Sequence, residues 1–441
     1  MSRRNRRPLP AGEPVVEILD LATDGRGVAR VEGKVVFVAD ALPGERVRIR
    51  YLAAGRDADE AQALAVEQAS PDRVTPGCAH FGVCGGCALQ HLAPAAQLAA
   101  KQKWLADAFE RLGKVQPAQW APPLAGPVWG YRRRARLGVK QVAKKGGVLV
   151  GFRERRSFFL AQLSRCEVLD PRVGGQLGVI AEALAGLSIA DRIPQIEMSA
   201  TGHVCLALRV LSPPTASDLE RLRALAAATG FELRLQPGGL DSIQPLQPPA
   251  RRLDYSPDGS ALRLAFEVGD FIQVNGPLSQ QVVRQALDWL APQPGEAVLE
   301  LFCGLGNFSL PLARHGVQLT ALEGDAGLVA RARANAAEAG LSIAFDKADL
   351  FQPEQPATRE RLRGPFDAVL LDPPRAGAEA VLPAIAATAA RRVLYVSCHP
   401  GTLARDAGRL VHEHGFTLAR AGVMDMFPHT AHVESMALFL R

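Results

Sequence analysis

Glu300-Leu-Phe-Cys-Gly-Leu-Gly-Asn-Phe308 is the stretch that decides the fold. It grows out of the apolar run AVLEL and leads into a helical pattern, so it reads as a strand, a turn and a helix start. Gly304 and Gly306 allow a tight turn and a close backbone approach to a ligand. Three further runs, VQLTALE, FDAVLLD and RVLYVS, alternate with helical segments downstream. That rhythm predicts a mainly parallel, doubly wound sheet. Nineteen residues after Gly304 the second strand ends in Glu323, where an acid can bind both hydroxyls of a ribose. Asp349, in KADLF after the third strand, is placed to meet an adenine amino group.

The dinucleotide spacing G-x-G-x-x-G is missing. E-x-F-x-G-x-G is instead the shape of an S-adenosylmethionine site. Two strand ends on the same sheet carry unusual residues. FDAVLLD runs into Asp372-Pro-Pro-Arg375, and RVLYVS into Cys398-His-Pro. Ligands of open α/β sheets bind beyond the carboxyl ends of the strands, so Asp372 and Cys398 both sit where substrate belongs. A thiol beside a methyl donor suits methylation of uracil at C5. That carbon is a poor nucleophile until a thiolate adds to C6 and loads C5 with carbanion character. The C5 proton must then leave before the thiolate can be expelled, which calls for a separate base. Glu434, in HVESMALFLR, puts a carboxylate into an otherwise apolar closing strand and is the candidate.

The front of the chain differs in character. Of 441 residues, 48% are hydrophobic and 22% charged, enough to build several cores. The net charge of +6 is unevenly placed. Eleven Lys/Arg face one acid, Glu154, between positions 129 and 165, against fifteen Lys/Arg and seventeen Asp/Glu between 271 and 441. A basic front on a near-neutral enzyme half suggests a bound polyanion. The basic stretch GYRRRARLGVKQVAKKGG…GFRERRSFFLAQ interleaves Arg132, Arg133, Arg134 and Arg136 with Tyr131, Phe152, Phe158 and Phe159, a mixture suited to RNA phosphates and unpaired bases. Short β-rich runs punctuated by glycine over 14–67 predict a small barrel. Cys78-x5-Cys84-x2-Cys87 puts three thiols on one loop, and Cys166 is the best remaining fourth ligand, since Cys205 looks like core. Four thiolates suit zinc or a [4Fe–4S] cluster, and spacing alone does not choose. No apolar run reaches the ~18 residues of a membrane span, and the basic N-terminus has no apolar segment behind it to make a secretory signal.

Together these residues resemble the RNA 5-methyluridine methyltransferases, and within them the type that acts on 23S rRNA. DGRGVARVEGKVVFVADALPGE is similar to a TRAM domain, an OB-like RNA-binding barrel. FIQVN at 271–275, ELFCGLGNFSLPLA at 300–313, LLDPPRAG at 370–377, YVSCHP at 395–400 and HVESMALF at 432–439 are similar to the family's catalytic motifs. The family's strand-one motif often begins with Asp where this chain has Glu300, which keeps the carboxylate. The resemblance implies that Cys398 is the nucleophile and Glu434 the base. It implies that Gln273, Phe302, Asn307, Glu323, Asp349 and Asp372 line the S-adenosylmethionine and uracil pocket. It also implies a [4Fe–4S] cluster on Cys78, Cys84, Cys87 and Cys166.

The expected architecture is therefore multidomain α/β. A basic arm at 1–10 precedes an OB-like β-barrel at 11–70. A central α+β domain at 71–270 carries the cysteine cluster and the basic region, with a helical stretch at 94–113 that can pack on the catalytic domain. A Rossmann-like class I methyltransferase domain fills 271–441. The expected partner is RNA, a 23S rRNA loop, bound by a cytoplasmic monomer with no membrane contact. The alternatives are the same chemistry on another 23S uridine or on tRNA, or a non-catalytic RNA-binding iron–sulfur protein. The last has no need of Cys398, Glu434 and a methyl-donor site together.

Overall fold

The computed structural model describes residues 8–441. Arg3, Arg4, Arg6 and Arg7, the charges of the expected arm, lie outside the described residues. The chain divides into two compact units. The first runs up to Lys101 and adds Phe152–Ala161 and Pro428–Ala431; the second holds Gln102–Gly151, Gln162–Phe427 and His432–Arg441.

The first unit is built on a six-stranded sheet in the order Val15–Glu17, Arg46–Ala54, Ala58–Gln68, Lys34–Ala39, Gly27–Val31 and Asp20–Leu21. Period-two alternation makes it. In Arg46–Ala54, Val47, Ile49 and Tyr51 turn inward while Arg46, Arg48 and Arg50 face water. With Val16, Ile18, Val36 and Val38 the inward residues form one apolar core. After the barrel comes the cysteine loop, which is backbone-paired to the returning segment Phe152–Ala161: Gly85 N–H donates to the Arg153 carbonyl (2.8 Å) and Arg155 N–H to the Val83 carbonyl (2.9 Å).

The second unit contains two large sheets. One has six strands in the order Gln244–Pro245, Glu232–Gln236, Val204–Arg209, Gln195–Ala200, Arg134–Val142 and Gly147–Gly151. The other has eight: Ala344–Lys347, Gln318–Glu323, Ala297–Leu301, Ala368–Leu371, Arg392–Ser397, Glu434–Leu440, Thr417–Met424 and Gln119–Trp120. Its first five strands are parallel, as the alternating pattern requires, and are almost wholly buried at their centre. Glu434–Leu440 then enters antiparallel. The order doubles back at Ala297–Leu301 and Ala368–Leu371, which makes the switch point where such sheets bind ligands. Gln119–Trp120, in a Pro-rich stretch that reads as a linker, instead supplies the edge strand by pairing with Arg420 and Ala421. The expected helix over 94–113 is an α-helix, Pro94–Ala108, ending in a π-turn, Phe109–Gly113. That turn packs on the helix Pro400–His412, and the His412 ring hydrogen-bonds the Gly113 carbonyl at 3.1 Å. Among the described residues no helix is long and apolar enough to cross a membrane.

A buried charge ties the turn before Arg46–Ala54 to the segment that follows Ala58–Gln68. Glu45 is fully buried and accepts N–H groups from Leu42 (2.8 Å) and Ser70 (3.2 Å) and a guanidinium N–H from Arg73 (2.7 Å). Burial pushes its carboxyl up, but Arg73 and the two backbone donors hold it below the ordinary value. A carboxyl depressed in the folded state contributes stability above its unfolded pKa and loses it as the pH falls through the folded value. Glu45→Ala is expected to lower unfolding free energy at pH 7 by about 3 kcal/mol, because it strands two buried donors and a guanidinium. The deficit relative to wild type should shrink below about pH 4. Urea denaturation at both pH values checks this; a loss of under about 1 kcal/mol at pH 7 refutes it.

Candidate active site

A cavity of about 470 Å3 opens in the second unit beyond the carboxyl ends of the parallel strands. Local backbone geometry creates it. The strand Ala297–Leu301 breaks into a turn in which Phe302, Gly304 and Gly306 all take positive φ (62°, 55° and 93°). A phenylalanine in that region costs roughly 1–3 kcal/mol, a strain typical of ligand-binding turns. Glu323, at the end of the next strand, accepts the N–H groups of Gly304 (3.1 Å) and Asp325 (3.0 Å). Asp349 accepts the Phe351 N–H (3.0 Å) and the Gln352 amide (2.7 Å). Each carboxylate oxygen keeps a lone pair free for a ligand.

The sequence reading of this cavity converges on one place. Gln273, Phe302, Asn307, Glu323, Asp349, Asp372, Cys398 and Glu434 all line it. Tyr255 lines it too, and its hydroxyl donates to Asn307 Oδ1 at 3.2 Å. No sequence signal pointed to Tyr255, which lies upstream of the expected catalytic boundary. Arg375, within the LLDPPRAG stretch, stands in the wall beside Asp372.

The loops carrying Asp372 and Cys398 are locked together from beneath. Asp406 is fully buried in the helix Pro400–His412. It accepts the Ala378 N–H (2.8 Å), the Tyr395 hydroxyl (2.7 Å) and the Arg405 guanidinium (2.8 Å). Burial and Asp406 drive the Tyr395 phenol far above its ordinary value, so it stays a donor. Gly377 has φ +81°, and a Cβ there would stand 2.7 Å from Asp406 Oδ2, so no side chain fits between loop and helix. His399 caps the same helix, its Nδ1 accepting the Thr402 N–H at 3.2 Å.

The carboxyl groups of Glu323, Asp349, Asp372 and Glu434 and the guanidinium of Arg375 line the cavity, with Glu300 buried behind it. Burial raises the Asp372 carboxyl to about 7. Burial, with Asp372 and Glu323 as like charges, raises Glu300 to about 8. The Cys398 thiol is pushed up to about 11 by burial and by Glu434 and Asp372, against a weaker pull from Arg375. Glu434 is 9% exposed, in the wall rather than at a wet edge. The arrangement sets the Cys398 thiol and several carboxyl groups around one pocket.

The arginines read as RNA contacts divide sharply. Arg133 is an internal brace: its Nε donates to the Gln273 carbonyl (2.9 Å) and its guanidinium lies 4.6 Å from the centre of the Tyr255 ring. Arg134 is buried in an ion pair with Glu197 (3.0 Å). Both guanidiniums are therefore turned into the fold. Arg136 also pairs with Glu197 but keeps its side chain largely exposed, and Arg132 donates to the Arg134 carbonyl (3.2 Å). Of the four cysteines read as a cluster, Cys78, Cys84 and Cys87 belong to the first unit and Cys166 to the second, all half-buried. Gly86 N–H donates to the Cys84 sulfur (3.4 Å). Among the described residues no group of three or more His, Cys, Asp or Glu is arranged to hold a metal ion. Cys205 is buried core, as its strand position suggested.

Residues 258–441 match the tRNA (Uracil-5-)-methyltransferase family, and residues 15–51 match the TRAM domain. The chain is 51% identical over 444 residues to the 23S rRNA (uracil(1939)-C(5))-methyltransferase RlmD of Alkalilimnicola ehrlichii, covering 100% of this chain and 99% of that one. It is 48% identical over 446 residues to the RlmD of Methylococcus capsulatus, with the same coverage. Its fold is similar to the crystal structure of the Pyrococcus abyssi tRNA (uracil-54, C5)-methyltransferase in complex with S-adenosyl-L-homocysteine. The TM-score is 0.72 at 20% identity, over 97% of this chain and 99% of that one.

A thiol near 11 is about one part in ten thousand thiolate at pH 7. Alkylation of Cys398 by iodoacetamide in the ligand-free chain should therefore be slow at pH 7 and rise about tenfold per pH unit to beyond pH 10. Mass spectrometry of the Cys398 peptide reads the rate. A plateau by pH 8 refutes the electrostatic account of the cavity.

Proposed function

The chain belongs to the RNA (uracil-C5)-methyltransferase family, and we propose that it forms 5-methyluridine in 23S rRNA, at the uracil 1939 for which its RlmD relatives are named. The observation that carries this reading is the gathering of Cys398, Glu434 and Asp372 into one cavity with the Gly304–Glu323 turn. S-adenosylmethionine fits that turn. Space is open where a Cβ of Gly304 would sit. Glu323 has lone pairs for ribose hydroxyls, Asp349 for an adenine amino group, and Phe302 offers an apolar wall. Bound there, it would supply an electrophilic methyl group.

The protein's own residues do the rest. Cys398, once deprotonated, adds through sulfur to C6 of the uracil, and the C5–C6 π electrons move onto the C4 carbonyl as an enolate. C5 thereby becomes the nucleophile that receives the methyl group. Glu434 then takes the C5 proton, the C5–C6 double bond re-forms, and the sulfur leaves as thiolate. Asp372, close to half-protonated at neutral pH by its burial, is placed to hydrogen-bond the polar edge of the base. Arg136 and Arg132 remain the RNA-contact candidates of the basic stretch. The substrate is read as a loop of 23S rRNA bound by a monomer in the cytoplasm. A loop suits it because flipping a uridine out costs least where it is unstacked.

The finer reading of the cysteines is a [4Fe–4S] cluster on Cys78, Cys84, Cys87 and Cys166. Three thiols on one loop, one already accepting a backbone N–H at sulfur, are the donor chemistry such a cluster takes. Methyl transfer needs no electron, so the role proposed is structural. The loop is backbone-paired to the Phe152–Ala161 segment and would hold it in place.

Two outcomes are expected. Glu434→Gln should methylate but fail to release, leaving RNA covalently attached on a denaturing gel; Cys398→Ala should form no adduct even with 5-fluorouridine RNA. Normal turnover by Glu434→Gln, or an adduct with Cys398→Ala, removes the assigned role. Anaerobically purified chain should be brown with about four irons, and stoichiometric zinc without visible absorbance would replace the cluster with a zinc site.

A further inference from the structure

Two adjacent phenylalanines stand in water at the tip of the Phe152–Ala161 segment: Phe158 is 87% exposed and Phe159 74%. Neighbouring large apolar side chains on a charged face are uncommon unless something covers them. The tip that presents them is held by several bonds. Glu154 N–H donates to the Phe159 carbonyl (2.9 Å), Ala161 N–H to the Phe152 carbonyl (2.9 Å) and Phe159 N–H to the Ser157 hydroxyl (3.0 Å). Arg156 takes the left-handed φ of 53° that makes the turn. The base of the segment is paired to the cysteine loop at Val83 and Gly85.

Beside the tip is an open cleft of about 480 Å3, lined by Arg26, Arg153, Arg155 and Arg156, by the acids Asp24, Asp40 and Glu154, and by Gly85 and Gly86. Three of these guanidiniums are partly neutralised: Arg26 by Asp24 and Glu60, Arg155 by Asp40 and Arg156 by Glu60. Arg153 is exposed and forms no ion pair among the described residues. Rigid, solvent-facing rings beside cationic groups are how proteins hold single-stranded nucleic acid, because every base offers a face and every link a charge.

We propose that Phe158 and Phe159 form a stacking platform for unpaired bases of the RNA substrate, with Arg153 holding an adjoining phosphate. The proposal rests on the RNA reading above and adds a second point of grip, in the first unit, that the catalytic motifs do not contain. Rings hold bases regardless of salt, whereas the guanidinium contact weakens as salt rises. The two contributions are therefore separable.

The experiment uses the full chain, a fluorescent RNA hairpin whose loop carries the uridine, and a fully paired RNA duplex of the same length. Phe158→Ala/Phe159→Ala should weaken hairpin binding at least tenfold, an order-of-magnitude estimate for lost base stacking. It should leave duplex binding and the slope against salt unchanged. Phe158→Trp/Phe159→Trp should bind like wild type, which separates lost stacking from a damaged fold. Arg153→Ala should flatten the salt slope by about 0.7 for the one phosphate lost. Unchanged hairpin binding by the double alanine variant overturns the proposal. So does an equal loss on hairpin and duplex, which would mark a structural effect or a surface for some other partner. If wild type bound and methylated no RNA at all, the enzymatic reading itself would fall, which is a different result from either.

Discussion

The chemical centre hangs on one buried carboxylate. Asp406 has no exposed surface, and a bare charge in that position would be costly. It is tolerated because a backbone N–H, a phenol and a guanidinium all point at it. Those three donors come from different places: Ala378 from the loop after Asp372, Tyr395 from the strand leading to Cys398, and Arg405 from the helix after it. Satisfying one acid thus fixes the two loops that bear the reactive groups relative to each other. Groups that act on one ligand must keep their separation to within a fraction of an ångström to work together. The Gly377 position shows how little slack there is, since even a methyl group would strike the carboxylate.

Much of the site was legible in the sequence because strand ends are legible. An apolar run that stops at Glu323, Asp372 or Cys398 announces a residue at the carboxyl edge of a parallel sheet, and topology brings such edges together whatever their separation along the chain. What escaped were the contacts set by distant partners. Arg133 and Arg134 look like surface charge because positive residues crowd around them. Their environment is decided by Gln273, Tyr255 and Glu197, 60 to 140 positions away. Gln119–Trp120 reads as linker because a two-residue edge strand has no periodicity of its own and exists only through Arg420 and Ala421. The compact units are likewise discontinuous, with Phe152–Ala161 and Pro428–Ala431 joining the N-terminal barrel. Contiguous spans drawn along a sequence have no way to express that.

The fold alone does not separate rRNA from tRNA enzymes. The solved structure of a tRNA enzyme matches 97% of this chain at a TM-score of 0.72, so the same architecture serves a tRNA substrate elsewhere. Fold therefore does not choose the RNA. The assignment to 23S rRNA rests on about half of all residues being shared, end to end, with the RlmD proteins.

The electrostatics of the cavity argue for a guarded nucleophile. Glu434 and Asp372 both raise the Cys398 thiol, so these two carboxyl groups disfavour its thiolate. A thiol is slow to oxidise and slow to alkylate, which protects a half-exposed cysteine in a chain that must wait for a large RNA. The field that suppresses the thiolate is also the field that welcomes a cation, and a positive ligand seated among these acids would offset part of what holds the thiol proton on. Asp372 and Glu300, with values near 7 and 8, sit where a modest change in local charge alters their protonation at neutral pH. Reactivity at Cys398 is in this way set by the surrounding carboxyl groups as well as by the cysteine itself.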